Sequence, residues 1–326
     1  MHIVLNSFGA SIRQENGQFA ISTAQGKQLI HPRDVKTLTI SKGARISSDA
    51  VLLAIEQEID VLFVDGLGKP KGRVWSIKYG SITDIRRKQI EFLYSEKARD
   101  WVKDLVVEKI NNQTALLLSL QTAQGEVVAR QIAGAINSME DYKAKVRKAE
   151  GESVADLLPS LRGWEGAASR RYFQIISACL PEAFRFTERS QHPAADRFNA
   201  ALNYAYGMLY GKIEGALIKA GIDPYTGIFH RDDYNRPALV FDVIEKYRIW
   251  ADYVVFQLCA QEALTEDCFR PEPNGALFLE GLGKRIVIQS MNDYLAEIIR
   301  IQGLERSRAE HMQQNAYALA RFFQET

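Results

Sequence analysis

The stretch DIRRKQIEFLYSEKARDWVKDLVVEKINNQTALLLSL, residues 84–120, carries apolar residues at helical spacing along its whole length. They recur every three or four positions, which is the period of one face of an α-helix. The pattern predicts one or two long amphipathic helices. Immediately before it, the segment GSIT at residues 80–83 interrupts the periodicity, so we expect a domain boundary there.

Residues 1–83 are predicted to form a small β-rich domain. The Asn16–Gly17 pair inside one β-type run predicts a tight hairpin. The segment SSDAVLLAIEQE, residues 47–58, reads as a helix capped by a serine. The predicted strands, separated by Gly, Asn and Pro, lie at 2–7, 11–23, 35–41, 60–65 and 73–79.

Residues 84–326 are predicted to form a larger all-α domain, which makes the fold class α+β. Beyond residue 120 the helical period continues almost without interruption, and the loops carry most of the prolines and glycines. Further helices are predicted at 128–146, 153–161, 163–180, 194–220, 239–263, 284–303 and 306–324.

Composition limits the classes of protein to consider. A chain of 326 residues is longer than one hydrophobic core ordinarily accommodates, so two domains are expected. The net charge of +1 gives no overall basic signal for nucleic-acid binding, although it is compatible with a local basic stripe. The three cysteines form no C-x-x-C pair, so we expect reduced thiols in a cytoplasmic protein rather than disulfides or a zinc knuckle. The first residues lack the pattern of a signal peptide, and no run approaches the ~18 apolar residues of a membrane span.

The segment GIDPYTGIFHRDDYNRPALVFDVIEKYR, residues 221–248, contains the main candidates for chemistry. His230 lies in a loop rich in turn-forming residues. Asp242 and Glu245 are three residues apart, so they share one face of a helix whose neighbouring residues are mostly apolar. Enclosed carboxylates need a partner, because unpaired burial costs several kcal/mol. That partner is either a metal ion or a basic side chain, and Arg248 is the competing candidate.

A further acidic candidate, Glu165, lies upstream in GWEGAASRRYF. Near the start of a helix its carboxylate would also be favoured by the helix dipole alone. Together with His230 and the D-x-x-E pair it forms a set of mostly oxygen donors. Such a set suits Mg²⁺ or Mn²⁺ better than a closed zinc site, and it points to metal-assisted phosphodiester chemistry.

Polar residues on two predicted helices are candidates for supporting roles. Arg170 and Arg171 suit phosphate binding, although adjacent arginines suit a solvated helix face equally well. Asn199 and Asn203 are four residues apart on another helix, and their amides could hold the active-site loop by hydrogen bonds.

Four motifs occur in a characteristic order: WEGAASRRYF (164–173), NAALNYAYGMLY (199–210), AGIDPYTGIFH (220–230) and PALVFDVIEKYR (237–248). With DVLFVDGLG in the β-rich part, they resemble the CRISPR-associated spacer-integrating endonuclease, the universal adaptation integrase family of CRISPR systems. The resemblance spans nearly the whole chain.

The resemblance implies that Glu165, His230 and Glu245 bind Mg²⁺ or Mn²⁺. Asp242 matches the other acidic position of the family's motif and would support the site, so the implied catalytic set is these four residues. The sequence departs from the family where Lys246 and Tyr247 follow Glu245, because the family usually has two acidic residues before Phe-Arg.

The resemblance also implies activity and partners. The protein would insert captured DNA fragments into a CRISPR array as new spacers, by attack of DNA 3′-hydroxyls on phosphodiesters, and would cleave DNA with water as nucleophile. It would bind double-stranded and branched DNA and dimerise through residues 1–83. Two such dimers would enclose a dimer of a small ferredoxin-like subunit in a heterohexamer. The DNA-binding candidates are Arg170, Arg171, Arg248, Lys284 and Arg285.

Two alternatives stay open from the residues. One is another metal-dependent phosphohydrolase acting on a small phosphorylated substrate. The other is a non-catalytic DNA-binding scaffold in which Asp242 and Glu245 form only salt bridges.

Overall fold

The computed structural model describes residues 1–65, 70–74, 82–122, 125–191, 193–230, 236–273 and 275–325. The chain divides into two compact units, residues 1–80 and 81–326. Most of the predicted strand at 73–79 and part of the break at 80–83 lie outside the described residues.

The first unit contains two small sheets. In chain order the elements are β1 (His2–Leu5), β2 (Ser11–Glu15), β3 (Gln18–Thr23), β4 (Gly26–Ile30), β5 (Thr37–Ser41), β6 (Arg45–Ile46), α1 (Ser48–Glu56), β7 (Asp60–Val64) and β8 (Pro70–Arg73). One sheet has the strand order β1-β5-β7-β8, in which the first three strands are parallel and β8 is antiparallel to β7. The other sheet has the order β4-β3-β2-β6.

Both sheets and α1 share one apolar core, in which Ile12, Phe19 and Leu38 are completely buried. Two local sequence signals act as predicted. Asn16 and Gly17 both adopt positive φ, at 48° and 76°, and join β2 to β3 in a tight hairpin. The hydroxyl of Ser47 accepts a hydrogen bond from the Ala50 amide and caps α1.

The second unit is mainly helical. Its helices are α2 (Ile82–Phe92), α3 (Glu96–Gln121), α4 (Glu126–Lys148), α5 (Val154–Ala178), α6 (Arg197–Lys219), α7 (Ala238–Ile244), α8 (Arg248–Ala260), α9 (Gly281–Ala296) and α10 (Arg308–Gln324). Helices α3, α4 and α5 pack against one another, and α6 contacts α7, α8, α9 and α10. The mixed fold with a β-rich first part and a helical second part is confirmed.

The prediction of an all-α second part is wrong in detail, because this part also contains two small hairpins. One pairs β9 (Phe269–Pro271) with β10 (Leu277–Leu279), and the other pairs β11 (Ile298–Ile301) with β12 (Leu304–Ser307). The second hairpin replaces the end of the helix predicted at 284–303. Gln302 and Gly303 take positive φ, at 50° and 83°, and turn the chain between the two strands. The first of these strands contains three isoleucines, which favour extended backbone.

The predicted helix at 239–263 is also interrupted. Helix α7 ends at Ile244, and α8 begins at Arg248. The turn between them begins at Glu245. Glu245, one of the predicted site residues, therefore lies in a turn and not within a continuous helix.

A buried polar contact joins three helices of the second unit. The hydroxyls of Tyr172 on α5 and Tyr206 on α6 donate to the two carboxylate oxygens of Asp252 on α8, at 2.9 and 2.5 Å. Asp252 is 2% exposed, and burial raises its pKa against the opposing effect of these hydrogen bonds. This contact fixes α8 relative to α5 and α6.

Cys179, Cys259 and Cys268 are free thiols. Among the described residues, no helix combines the length and apolar character needed to cross a membrane.

The packing of α10 against α2 depends on Phe92, which is completely buried against the rings of Phe322 and Phe323 at centroid distances of 5.4 and 5.1 Å. We expect Phe92→Ala to lower the free energy of unfolding by ~3–5 kcal/mol, because the lost ring leaves a cavity between the two helices. Urea unfolding followed by circular dichroism measures the change. Ile90→Ala, at a 53% exposed position of the same helix, is the control and should change stability by less than ~1 kcal/mol.

Candidate functional site

Two predicted acidic residues meet at a lysine that the sequence analysis did not identify. The Nζ of Lys109, on α3, forms ion pairs with the carboxylates of Glu165 on α5 and Glu245 at the end of α7. The distance from Nζ to Glu245 Oε2 is 2.5 Å. The three side chains are 11%, 20% and 8% exposed, respectively. One cation thus contacts two carboxylates in a nearly enclosed space.

Arg248 contacts Glu245 from the other side. Its Nε donates to Glu245 Oε1 at 2.8 Å, its NH2 group donates to the hydroxyl of Tyr210 at 3.0 Å, and its guanidinium lies 4.7 Å from the ring centroid of Tyr206. The competing explanation for the D-x-x-E pair, a salt bridge to Arg248, is therefore present in the structure. It coexists with the Lys109 contact rather than replacing it.

Lys109, Glu165, Glu245 and Arg248 form one cluster of acidic and basic side chains. Their interactions shift the pKa values of Glu245 and Lys109. Burial raises the pKa of Glu245, but Arg248 and Lys109 outweigh this effect and lower the pKa from 4.5 to about 2. For Lys109 the signs are reversed. Burial lowers its pKa, but attraction to Glu245 and Glu165 more than offsets burial, so the net effect is a raised pKa. At neutral pH Glu245 is therefore ionised and Lys109 is protonated.

Neutral polar side chains extend the cluster along α3 and α5. Ser169 Oγ donates to Glu165 Oε1 at 3.1 Å and receives a hydrogen bond from Gln113 at 3.3 Å. Asn112 donates to the carbonyl of Lys246 at 3.0 Å, which ties α3 to the turn after α7. The spacing of Lys109, Asn112 and Gln113 places them on neighbouring positions of one helix face, but no local motif marks them.

His230 is held by Asp242. The completely buried carboxylate of Asp242 accepts hydrogen bonds from the backbone amides of Ile228, Phe229 and His230, at 2.7, 3.0 and 2.9 Å. Its Oδ1 also lies 2.7 Å from His230 Nδ1. When Nδ1 carries the proton and donates it to Asp242, the lone pair is on Nε2, which is the arrangement a metal-binding imidazole needs. Asp242, predicted as one of four catalytic residues, makes its described contacts with the backbone and imidazole of the histidine loop.

The loop that carries His230 is fixed at further points. Buried Gln89 on α2 donates to the carbonyls of Asp223 and Thr226, at 2.8 and 3.0 Å. Arg162 on α5 donates to the carbonyl of Phe229 at 3.0 Å. At Gly227 there is no room for a side chain, because an added Cβ would lie 2.3 Å from the His230 carbonyl oxygen. Neither Gln89 nor Arg162 was identified from the sequence.

The predicted DNA-binding residues fall into two groups. Arg170 and Arg171 are exposed on α5, and Arg285 is exposed on α9, where Lys284 is partly buried. Arg248 differs, because it is enclosed by Glu245, Tyr206 and Tyr210 as described above. Its contacts assign it to the cluster of charged residues rather than to an open surface.

The expectation that Asn199 and Asn203 hold the loop of His230 is wrong. The amide nitrogen of Asn199 donates to the carbonyl of Glu188 at 3.0 Å, and that of Asn203 donates to the carbonyl of Ser190 at 3.1 Å. Both asparagines therefore hold the segment that precedes α6, and other residues support the histidine loop.

The donor set fits a divalent cation in part. Glu165 and Glu245 already share one cation, and Glu245 Oε2 is buried without a hydrogen bond of ordinary geometry. An oxygen in that condition suits coordination to a hard metal ion. In the described part of the chain, however, no three His, Cys, Asp or Glu side chains gather closely enough to form a metal cluster. His230 is paired with Asp242, and the two glutamates are paired with Lys109.

Comparisons with known proteins agree with this arrangement of motifs. The sequence profile of the family described as "CRISPR associated protein Cas1" matches residues 3–293. The chain belongs to the CRISPR-associated protein Cas1 family. A curated relative from Archaeoglobus fulgidus, named "CRISPR-associated endonuclease Cas1 1", is 30% identical over 93% of this chain and 90% of its own length. The family resemblance predicted from the motifs is confirmed.

Solved structures show the same fold. A structure described as "Casposase bound to integration product" has a TM-score of 0.84 at 19% identity and covers 99% of this chain and 90% of its own. The "Cas6-RT-Cas1--Cas2 complex" has a TM-score of 0.81 at 22% identity and covers 100% of this chain. This chain spans 35% of that longer chain. The Cas1 fold therefore occurs both alone and within larger polypeptides.

The low pKa of Glu245 makes stability depend on pH. Because its pKa is about 2 in the folded protein against an ordinary 4.5, its ion pairs stabilise the fold above about pH 4.5, and this contribution is lost as the pH falls towards about 2. We expect Glu245→Gln to lower the free energy of unfolding at neutral pH, and the difference from wild type to shrink below about pH 4.5.

Urea unfolding of wild type and variant at a series of pH values tests this expectation. Glu182→Gln, at an exposed position of the second unit, is the matched control. Its free energy of unfolding should follow that of the wild type across the pH series. A Glu245→Gln difference that stays constant through the acidic range would contradict the assignment of the charge to these ion pairs.

Proposed function

We propose that this protein is a metal-dependent DNA integrase and endonuclease that inserts captured DNA fragments into a CRISPR array as new spacers. The observation that carries the proposal is the convergence of Glu165 and Glu245 on one cation, in a chain that also holds the Nδ1 of His230 against a buried carboxylate. Family membership supports the same activity, since the curated relative is named an endonuclease.

Glu165, Glu245 and His230 would hold Mg²⁺ or Mn²⁺, the first two through oxygens and the third through Nε2. The bound ion would supply Lewis-acid stabilisation of charge on the scissile phosphate and the leaving oxygen. The hard donors favour these ions over structural zinc. Three protein ligands leave coordination positions for phosphate and water, as a catalytic site requires.

The chain's own residues prepare this chemistry. Asp242 fixes the orientation and tautomer of His230 through Nδ1. Arg248 holds Glu245 Oε1 in place, and its contacts with two tyrosines limit its own movement. The nucleophile is not a side chain: it is the 3′-hydroxyl of the incoming DNA for integration, or water for cleavage.

Arg170 and Arg171 are the best candidates for contacts with the DNA backbone. They are exposed and follow Glu165 by five and six residues on the same helix, so they lie within two helical turns of a proposed ligand. Lys284 and Arg285 on α9 are further candidates. Contacts of this kind bind phosphate and do not read sequence.

The relatives suggest the partners. One similar structure is described as bound to an integration product and another as a complex with Cas2. We infer that this chain binds double-stranded and branched DNA and a small ferredoxin-like Cas2 subunit, in a heterohexamer of two homodimers and one Cas2 dimer. Residues 1–83 would form the dimerisation domain and residues 84–326 the catalytic domain.

Removing any one proposed ligand tests the active site. We expect Glu165→Gln, His230→Ala and Glu245→Gln each to reduce strand transfer on branched DNA by roughly 100-fold or more, because each removes part of the charge stabilisation. The assay contains Mn²⁺ and the Cas2 subunit, and circular dichroism checks the fold. Glu182→Gln is the matched control. A variant with a wild-type rate would remove that residue from the mechanism.

Chelation distinguishes the proposed ion from structural zinc. Dialysis against EDTA should stop strand transfer and leave the melting temperature nearly unchanged, since the metal-free cluster is already neutralised by Lys109 and Arg248. DNA binding without strand transfer in the presence of Mn²⁺ would favour the scaffold alternative. Activity on free nucleotides but not on branched DNA would favour a small-molecule phosphohydrolase.

The double variant Arg170→Ala, Arg171→Ala tests the DNA surface. We expect the variant to bind unrelated duplexes more weakly, and by a similar factor for each duplex. The slope of log affinity against log salt concentration should be shallower by about 1–2, because fewer phosphate contacts mean that fewer counterions are released on binding. Fluorescence anisotropy at several salt concentrations measures both. A loss confined to one DNA sequence would instead assign these arginines to base recognition.

The dimer proposal has support in the first unit, where Phe8, Leu29 and Leu52 are 94%, 53% and 55% exposed. Apolar side chains on a unit with a small core favour association. We expect the full chain to be a dimer at micromolar concentration and a fragment beginning near residue 84 to be a monomer. Multi-angle light scattering on both measures this. A fragment that dimerises as tightly as the full chain would place the interface in the helical part.

A further inference from the structure

Lys109 occupies the position between the two glutamates that the proposed metal requires. It projects from the middle of α3, from a turn whose neighbours Leu105, Val106 and Ile110 belong to the hydrophobic core. The whole residue is 9% exposed, and its ammonium contacts both carboxylates. A lysine is seldom buried to this degree unless it is paired, so the two glutamates account for its position.

An ammonium group and a divalent ion cannot share this position. Two cations within contact distance in a weakly screened environment repel each other strongly. Of the two basic residues on Glu245, Arg248 is fixed by Tyr206 and Tyr210, whereas the described contacts of the Lys109 ammonium are those with the glutamates. Lysine also has a long flexible stem that can carry its charge elsewhere. Lys109 is therefore the group that must move.

We propose that Lys109 is an internal counter-cation that holds Glu165 and Glu245 together in the metal-free protein and is displaced from them when Mg²⁺ or Mn²⁺ binds. This inference rests on the proposed function, because it takes both glutamates as metal ligands. In the metal-free state Lys109 prevents the repulsion of two carboxylates in an enclosed space. In the metal-bound state its ammonium leaves the pair and reaches solvent. Lys109 is thus a positioning residue.

Competition of this kind has a characteristic thermodynamic signature. A residue that only supports the fold weakens metal binding when it is removed. A residue that competes with the metal for the same oxygens strengthens binding when its charge is removed. We therefore expect Lys109→Met, which keeps the length of the stem and removes the charge, to bind Mn²⁺ roughly tenfold or more tightly than wild type, a change of ~1.4 kcal/mol.

Isothermal titration of the full chain with MnCl₂ measures this affinity. Lys246→Met is the matched control. That lysine is one residue from Glu245 but pairs with Glu108 at 2.8 Å, and the two side chains are 32% and 44% exposed. Its loss should leave Mn²⁺ affinity within about twofold of wild type, because a screened surface charge acts weakly on the site. The metal-free melting temperature should fall in Lys109→Met and rise more steeply with Mn²⁺ than in wild type.

The double variant Glu165→Gln, Glu245→Gln separates failure of this inference from failure of the proposed function. If that variant loses Mn²⁺ binding while Lys109→Met binds as wild type or more weakly, the displacement of Lys109 is wrong and the metal site stands. If the double variant binds Mn²⁺ as wild type does, the metal ligands of the proposed function are wrong.

A measurement on the wild-type chain decides the matter if Lys109→Met does not fold. Acetic anhydride labels accessible amines, and peptide mass spectrometry gives the rate at each lysine. We expect Lys109 to be protected in the metal-free protein and to react roughly tenfold or more faster in saturating Mg²⁺, relative to Lys246 as internal reference. An unchanged ratio at Mg²⁺ concentrations that saturate the site would overturn the inference.

Discussion

The site depends on the cost of burying the carboxylate of Glu245. This side chain is almost fully enclosed, and a charge in that position is tolerated only with close compensation. Lys109 and Arg248 provide it from α3 and α8, and the same lysine brings in Glu165 from α5. One electrostatic requirement thus brings together side chains from three helices and the turn after α7.

The second buried carboxylate of the D-x-x-E pair meets the same requirement by different means. Asp242 is surrounded by backbone amides and one imidazole, and it uses no lysine or arginine among its described partners. Glu245 is therefore compensated by charged side chains from other helices, whereas Asp242 is compensated by the backbone and imidazole of the histidine loop. Two acidic residues three positions apart thus have separate sets of partners.

Sequence patterns predicted what is local and missed what is long-range. The Asn16–Gly17 hairpin and the Ser47 cap depend on neighbouring residues, so short motifs revealed them. The acidic and histidine candidates were also visible, because their types and spacing suggest a chemistry. Lys109 carries no such mark: its role comes from Glu165, 56 residues away, and from Glu245. Arg248 is a DNA-binding candidate because it is basic and lies near the motifs, but its neighbours in space, which the sequence does not show, enclose it.

The contact of Asp252 with two tyrosines has a consequence for how the chain is made. Tyr172 and Asp252 are 80 residues apart, and Tyr206 and Asp252 are 46 apart, so both hydrogen bonds close long loops. During synthesis the helices that carry Tyr172 and Tyr206 emerge from the ribosome before α8, which carries Asp252. The hydrogen bonds from Tyr172 and Tyr206 to Asp252 form only after α8 has emerged, so this part of the helical unit completes its packing late in synthesis. Contacts of high sequence separation are in general slow to form.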